Sequence, residues 1–309
     1  MAAFPPFCEL AAASNFSFLE GASHPEELVV RAKALGMAAL GIADRHTMAG
    51  IVRAHVAARE HGIALAVGTR AEFALGADDE PSHVELVLLA ESPEGYARLC
   101  RLLTLGKRRA GWTLDVDGSP AAVMAGIDGR GAARDATACR LWLHDQVAAS
   151  VQAHGMGERA PGAPFALGGV HAIVMPPAGY GAMQPRFLEC LRWLRGAFDG
   201  DRLSLGFVHR PGPDAALRLL QLEWLSSEAG VPLLATNDPR CHDPARRPLQ
   251  DVLTAIRARR TVDELRHVAR TAAVDAAHGC AWDGPSLAPG GAACLEGAAG
   301  VARILEGVP

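Results

Sequence analysis

The chain has 309 residues, half of them hydrophobic but only 5% aromatic, and a net charge of −4 at pH 7. That balance excludes a global attraction to nucleic acid or anionic membrane, so any such contact is local. Seven cysteines without a Cys-x-x-Cys pair exclude a zinc finger or a secreted disulfide framework and point to reduced thiols.

Taken in chain order, "MAAFPPFCEL" has no basic stretch leading into an apolar run, so no signal peptide is expected. No apolar run is long enough to span a bilayer, and a soluble, cytoplasmic protein is expected. Ser23 and Glu26 are spaced as a capping box with Pro25 in the first turn. Leu28, Val29, Ala32 and Leu35 then recur at helical spacing up to Gly36. "AALGIAD" (38–44) reads as a buried strand ending in a carboxylate, 47–62 as a helix with Gly62 at its end, and "IALAVG" (63–68) as the next strand. Strand, helix and strand at this spacing predict a right-handed crossover between parallel strands.

The alternation resumes with a strand over 84–90 and a helix over 92–109. Residues near 110–140 and 155–169 lose periodicity and read as insertions. Further strands are predicted over 170–177, 202–208 and 231–238, and helices over 186–198, 213–230 and from 246 toward 265. From 266 to 309 the composition turns Ala- and Gly-rich with little to pack, which reads as a divergent tail. Repeated β-then-α units predict a barrel or an open doubly wound sheet. No Gly-x-Gly-x-x-Gly follows the first strand, which favours the barrel. Strands ending at Asp44 and Asp238 fit a polar site at C-terminal strand ends.

"SNFSFLEGASHPEEL" (14–28), "IADRHTMAGIVRAH" (42–55), "YARLCRLLTLGKRRA" (96–110) and "TNDPRCHDPARRPLQDVLTAIR" (236–257) recur in a known order. Together they resemble the N-terminal PHP domain of bacterial DNA polymerase III alpha-type chains, most closely the error-prone subgroup used in mutagenic repair. The resemblance covers roughly residues 5–265. It implies a distorted TIM-like (β/α)7 barrel and, in active members, a metal cluster at the C-terminal strand ends that hydrolyses phosphoesters.

Carried over position by position, the ligand motifs are altered. The first family motif, Glu-Leu-His-x-His-Ser, reads Glu9-Leu10-Ala11-Ala12-Ala13-Ser14, with Ala11 and Ala13 at both histidine positions. The family's Asp-His becomes Asp44-Arg45, followed by His46. Its Gly-x-Glu becomes Gly68-Thr69-Arg70, with Glu72 two residues on, and its Asp-x-His becomes Asp238-Pro239-Arg240, followed by His242. Alanine has no lone pair to donate and guanidinium cannot be deprotonated, so the resemblance implies a degenerate site and no bound metal.

On this reading Asp44 and Asp238 each pair with a nearby arginine such as Arg45, Arg70 or Arg240. The alternative is a free-standing phosphoesterase using Mn²⁺ or Zn²⁺ held by a rearranged set of Asp44, His46, Glu72, Asp238 and His242. Lys107, Arg108 and Arg109 are candidates for a local nucleic-acid contact, set against a plain role at a helix C-terminus. No spacing suggests a Ser-His-Asp or Cys-His nucleophile, and Cys100 and Cys190 lie on apolar helix faces.

In the parent family the partners are DNA, the sliding clamp and other mutagenesis proteins, and polymerisation uses Mg²⁺ in a palm domain. No segment here resembles that palm. The resemblance fades near residue 266, which suggests a truncated or frame-disrupted polymerase gene acting as a scaffold or interaction module.

Overall fold

The computed structural model describes residues 7–74, 83–109, 139, 141–142, 168–177, 185–198, 201–208 and 215–266. The expected insertions and tail fall outside these residues except for Cys139, Gly168, Gly169 and Arg266.

Seven strands follow one another around a distorted barrel: β1 (Cys8–Ala12), β2 (Ala39–Arg45), β3 (Ala64–Ala74), β4 (His83–Ala90), β6 (Val170–Met175), β7 (Leu203–Val208) and β8 (Leu233–Thr236). A two-residue strand, β5 (Leu141–Trp142), pairs with the end of β3. Around and beyond the strands lie α1 (Pro25–Ala34), α2 (Ile51–His61), α3 (Pro93–Arg109), α4 (Pro185–Ala197), α5 (Ala215–Ala229) and α6 (Arg247–Ala258).

The expectation of a wholly parallel sheet is corrected at one strand. β4 runs antiparallel to both β3 and β6, whereas the other neighbouring pairs are parallel. Only eight residues, 75–82, separate β3 from β4, too few for the dozen or so a parallel crossover needs. A parallel return was therefore never available to this strand.

α1 starts one residue later than the Ser23–Glu26 spacing suggests. His24 is its N-cap, and the Glu27 carboxylate accepts from the His24 backbone N–H at 2.8 Å. Ser23 is thereby released for another partner. Gly62 takes the left-handed C-cap position at φ 61° that the sequence predicts for α2.

Alternation along the strands divides the core into three layers. Ala12, Leu40 and Ile42 pack outward against α1 and α2. Phe73, Leu86, Leu88 and Val174 pack outward against α3, α4 and α5. Ala11, Ala43, Val87, Leu89, Ile173, Met175 and Val208 fill the barrel interior. Because half the side chains on each strand point inward, the inward residues nearest the C-terminal ends form the rim on which a site can be built.

Among the described residues no strand ladder joins β1 to β8. The buried Glu9 carboxylate spans the seam instead, accepting from the Thr236 hydroxyl and from the Asn237 N–H at 2.7 Å, as well as from the Ala11 N–H at 2.8 Å. Burial nonetheless holds its pKa above the ordinary carboxylate range, against the pull of these hydrogen bonds.

Candidate functional site

The rim is formed by the C-terminal ends of the parallel strands and by the start of the reversed β4. Ala11, Ala12 and Ala13 are all buried there. Ala11 belongs to the interior layer and its carbonyl accepts from Arg70 Nη2 at 3.1 Å. The Ala13 N–H donates to the Pro239 carbonyl at 3.0 Å, tying the end of β1 to the turn after β8.

Arg70 lies on β3, 1% exposed. Its Nη1 reaches Glu85 at 3.1 Å and its Nη2 also meets Asp238. Arg45, at the end of β2, binds Glu20, Glu72 and Glu85, the last at 2.8 Å. Arg240 bridges Glu20 and Asp238, and Arg257 at the end of α6 adds a further contact to Glu20. Glu20, Glu72, Glu85 and Asp238 thus face Arg45, Arg70, Arg240 and Arg257 in one continuous network of balanced charge.

Burial alone would push the Glu20 carboxyl up, but Arg240, Arg45 and Arg257 pull it down to about 2. Burial also acts to raise Glu85, and Arg70 and Arg45 outweigh it, leaving that pKa below the ordinary value. For Arg70, Asp238 and Glu85 more than offset the cost of burial, so the guanidinium stays charged.

The five residues expected as a rearranged metal set do not converge. Asp238 and Glu72 lie in the network. Asp44 shares the outer face of β2 with Ile42. Among the described residues it pairs with no arginine, correcting that expectation for this residue, and it accepts from the Ser14 N–H (2.7 Å), the Ser14 hydroxyl (2.8 Å) and the Ser17 hydroxyl (2.8 Å). Burial still raises its pKa.

His46 has a positive φ of 54°, and its Nε2 accepts from the Glu72 N–H at 3.1 Å, which places the ring proton on Nδ1 when the ring is neutral. His242 Nδ1 shares a 2.7 Å hydrogen bond with the Ser23 hydroxyl, and the His242 N–H donates back to that oxygen at 2.9 Å. Among the described residues, no group of three or more His, Cys, Asp or Glu side chains is placed to hold a metal ion.

A cleft of about 300 Å³ opens beside the network, with Glu72, Glu85, Asp238, Arg240, His83 and Arg218 on its polar walls. Lys107, Arg108 and Arg109 end α3. A side chain at the adjacent Gly106 would meet Cys139 and Leu141, and Leu141 pairs with Phe73 on β3, so this end of α3 sits toward the rim. Arg108 is exposed.

Sequence reasoning missed Glu20, Glu85 and the seam role of Glu9. Glu85 carried a usable signal, being the lone charge inside the apolar run "VELVLLA". Placing it at the rim also required knowing that β4 is reversed. Glu20 sits in a turn after β1, and nothing local marks it as buried.

Residues 9–124 match the PHP domain family. Over 264 residues, 85% of its length, the chain is 37% identical to an error-prone DNA polymerase of Bordetella parapertussis. Over 262 residues it is 38% identical to an error-prone DNA polymerase of Brucella abortus. The chain spans about a fifth of the length of these relatives. A solved amidohydrolase structure from Chromobacterium violaceum aligns with 76% of this chain and 87% of its own, at 17% identity and a TM-score of 0.44. No helix among the described residues is long and apolar enough to cross a membrane.

Proposed function

We propose that this chain is the PHP module of an error-prone DNA polymerase, serving DNA replication and mutagenic, translesion repair in the cytoplasm as a scaffold or interaction module. Its rim is an internal brace. The observation that carries this reading is the set of guanidinium groups, Arg45, Arg70 and Arg240, bound to the rim carboxylates.

A divalent metal does not fit this donor set. It would need free lone pairs from several side chains, but the carboxylate oxygens that could supply them already hold cations, and a second cation between them would meet like charge. Metal-assisted phosphoester chemistry therefore has no support from these residues. Contacts with DNA, a sliding clamp and other mutagenesis proteins, and Mg²⁺-dependent polymerisation, belong in this proposal to the much longer polymerases of which the chain covers a fifth. Lys107, Arg108 and Arg109 are its own candidates for touching a nucleic-acid backbone.

Two measurements test the proposal. Purified chain incubated with Mn²⁺ or Zn²⁺ and then desalted retains no metal and hydrolyses no chromogenic phosphate ester. Stoichiometric metal together with turnover would establish the phosphoesterase instead. Mixed with an error-prone polymerase from which the matching segment has been deleted, the chain co-elutes with it; separate elution contradicts the module role.

A further inference from the structure

Arg70 differs from the other rim arginines in its burial. Its side chain is 1% exposed, against 18% for Arg45 and 19% for Arg240. The acceptors it meets gather at the fork of the guanidinium: Glu85 at Nη1, and Asp238 with the Ala11 carbonyl at Nη2. The buried Nε–H, on the stem side, has no hydrogen-bond partner among the described residues. The recess is therefore shaped around the planar tip of the side chain, not around its stem.

Its three walls come from different parts of the chain: β1 through Ala11, β4 through Glu85 and the turn after β8 through Asp238. The fold thus builds this recess on elements other than β3, the strand that carries residue 70. Ala11 is itself buried in the interior layer and contributes only a methyl group beside the carbonyl that Arg70 uses.

We infer that Arg70 is a built-in plug. Asp238, Glu85 and the Ala11 carbonyl form a recess for a planar, fork-shaped cation, which the protein fills with its own guanidinium and which accepts free guanidinium once that side chain is cut away. Planar bidentate geometry is what separates this recess from one suited to a compact ion, since guanidinium presents paired N–H groups to carboxylates and a divalent ion presents none. Truncating a buried side chain leaves a cavity that a matching small molecule can occupy. Binding to the folded state alone then raises stability. The inference rests on the reading that the rim carboxylates hold no metal. That reading is tested on the wild-type chain, whereas the plug is tested on a variant, so the two fail separately.

The experiment compares wild type, Arg70→Ala and Arg70→Lys in sodium chloride, in guanidinium chloride at a concentration far below denaturing, and in manganese chloride. Guanidinium raises the melting temperature of Arg70→Ala by about 3 °C or more relative to sodium. Wild type and Arg70→Lys, whose recess is filled, gain nothing. Equal responses of all three proteins, or a larger rise of Arg70→Ala in manganese, overturn the inference. If Arg70→Ala is not recovered folded, its refolding yield from urea is compared in the two monovalent salts. A gain in guanidinium confined to this variant supports the plug, and equal yields overturn it.

Discussion

Glu9 and Thr236 stand 227 positions apart and share a hydrogen bond across the seam between the first and last strands. The same carboxylate takes the Asn237 and Ala11 N–H groups, so one side chain serves both edges that meet there. Glu9→Gln keeps the size but replaces an acceptor oxygen with a donor facing donors. A loss of about 1–3 kcal/mol is expected by urea denaturation, with faster amide exchange at Ala11 and Asn237. Unchanged exchange at both amides would show that the seam does not depend on Glu9.

Acid should loosen the rim. The folded pKa of Glu20, about 2, lies below its ordinary value of 4.5, so its contribution is present above the ordinary value and is lost as pH falls toward 2. A shift of that size corresponds to about 3 kcal/mol. Glu9 and Asp44, with raised folded values, act in the opposite sense: their contribution is present at low pH and is lost as pH rises through the folded pKa. Stability measured between pH 5 and pH 2 (a window that follows from these shifts) should fall less steeply in Glu20→Gln than in wild type. A limb of equal slope would remove Glu20 from the account.

Ion pairs on this protein should differ sharply in worth. Arg45 is largely buried among Glu20, Glu72 and Glu85, so Arg45→Met leaves carboxylates without their cation, at a cost of about 3–5 kcal/mol. Arg192 pairs with Glu228 on the outside of α4 and α5 with both side chains about half exposed, and Arg192→Ala should cost about 0–1 kcal/mol. Urea midpoints of the two variants check the ranking.

Two glycines give a test with opposite signs. A Cβ on Gly68 would stand 2.3 Å from the Leu88 carbonyl oxygen, where β3 and β4 approach, and Gly68→Ala should prevent folding or cost several kcal/mol. On α4 a Cβ at Gly196 meets nothing within 4 Å among the described residues. Gly196→Ala should stabilise by about 0.5–1 kcal/mol, read as a raised melting temperature.

The helices and most strands were legible because apolar spacing is a local property: Leu28, Val29 and Ala32 mark α1 without reference to anything else. Alignment with the ligand motifs also located Arg45, Arg70 and Arg240. What stayed hidden depends on direction and distance. The facing of Asp44 is set by its parity with Ile42, and its hydroxyl partners Ser14 and Ser17 lie in a loop whose path the sequence does not spell out. Ser23 looked like a cap but bonds His242, 219 positions away. Glu20 becomes a buried anion only when Arg45, Arg240 and Arg257 arrive from three other segments.

The reversal of β4 has a consequence for how the chain finds its own alignment. Glu85 faces the arginines because Glu72 lies opposite it and Arg70 opposite Val87. A slip of one residue would turn Glu85 toward the apolar layer holding Phe73 and Leu86, and would present Val84 or Leu86 to Arg70 and Arg45. Each such slip would strand the Glu85 carboxylate and take one acceptor from both Arg45 and Arg70, which keep their other partners. A single charge in a greasy strand thus works as a check digit that a one-residue slip fails.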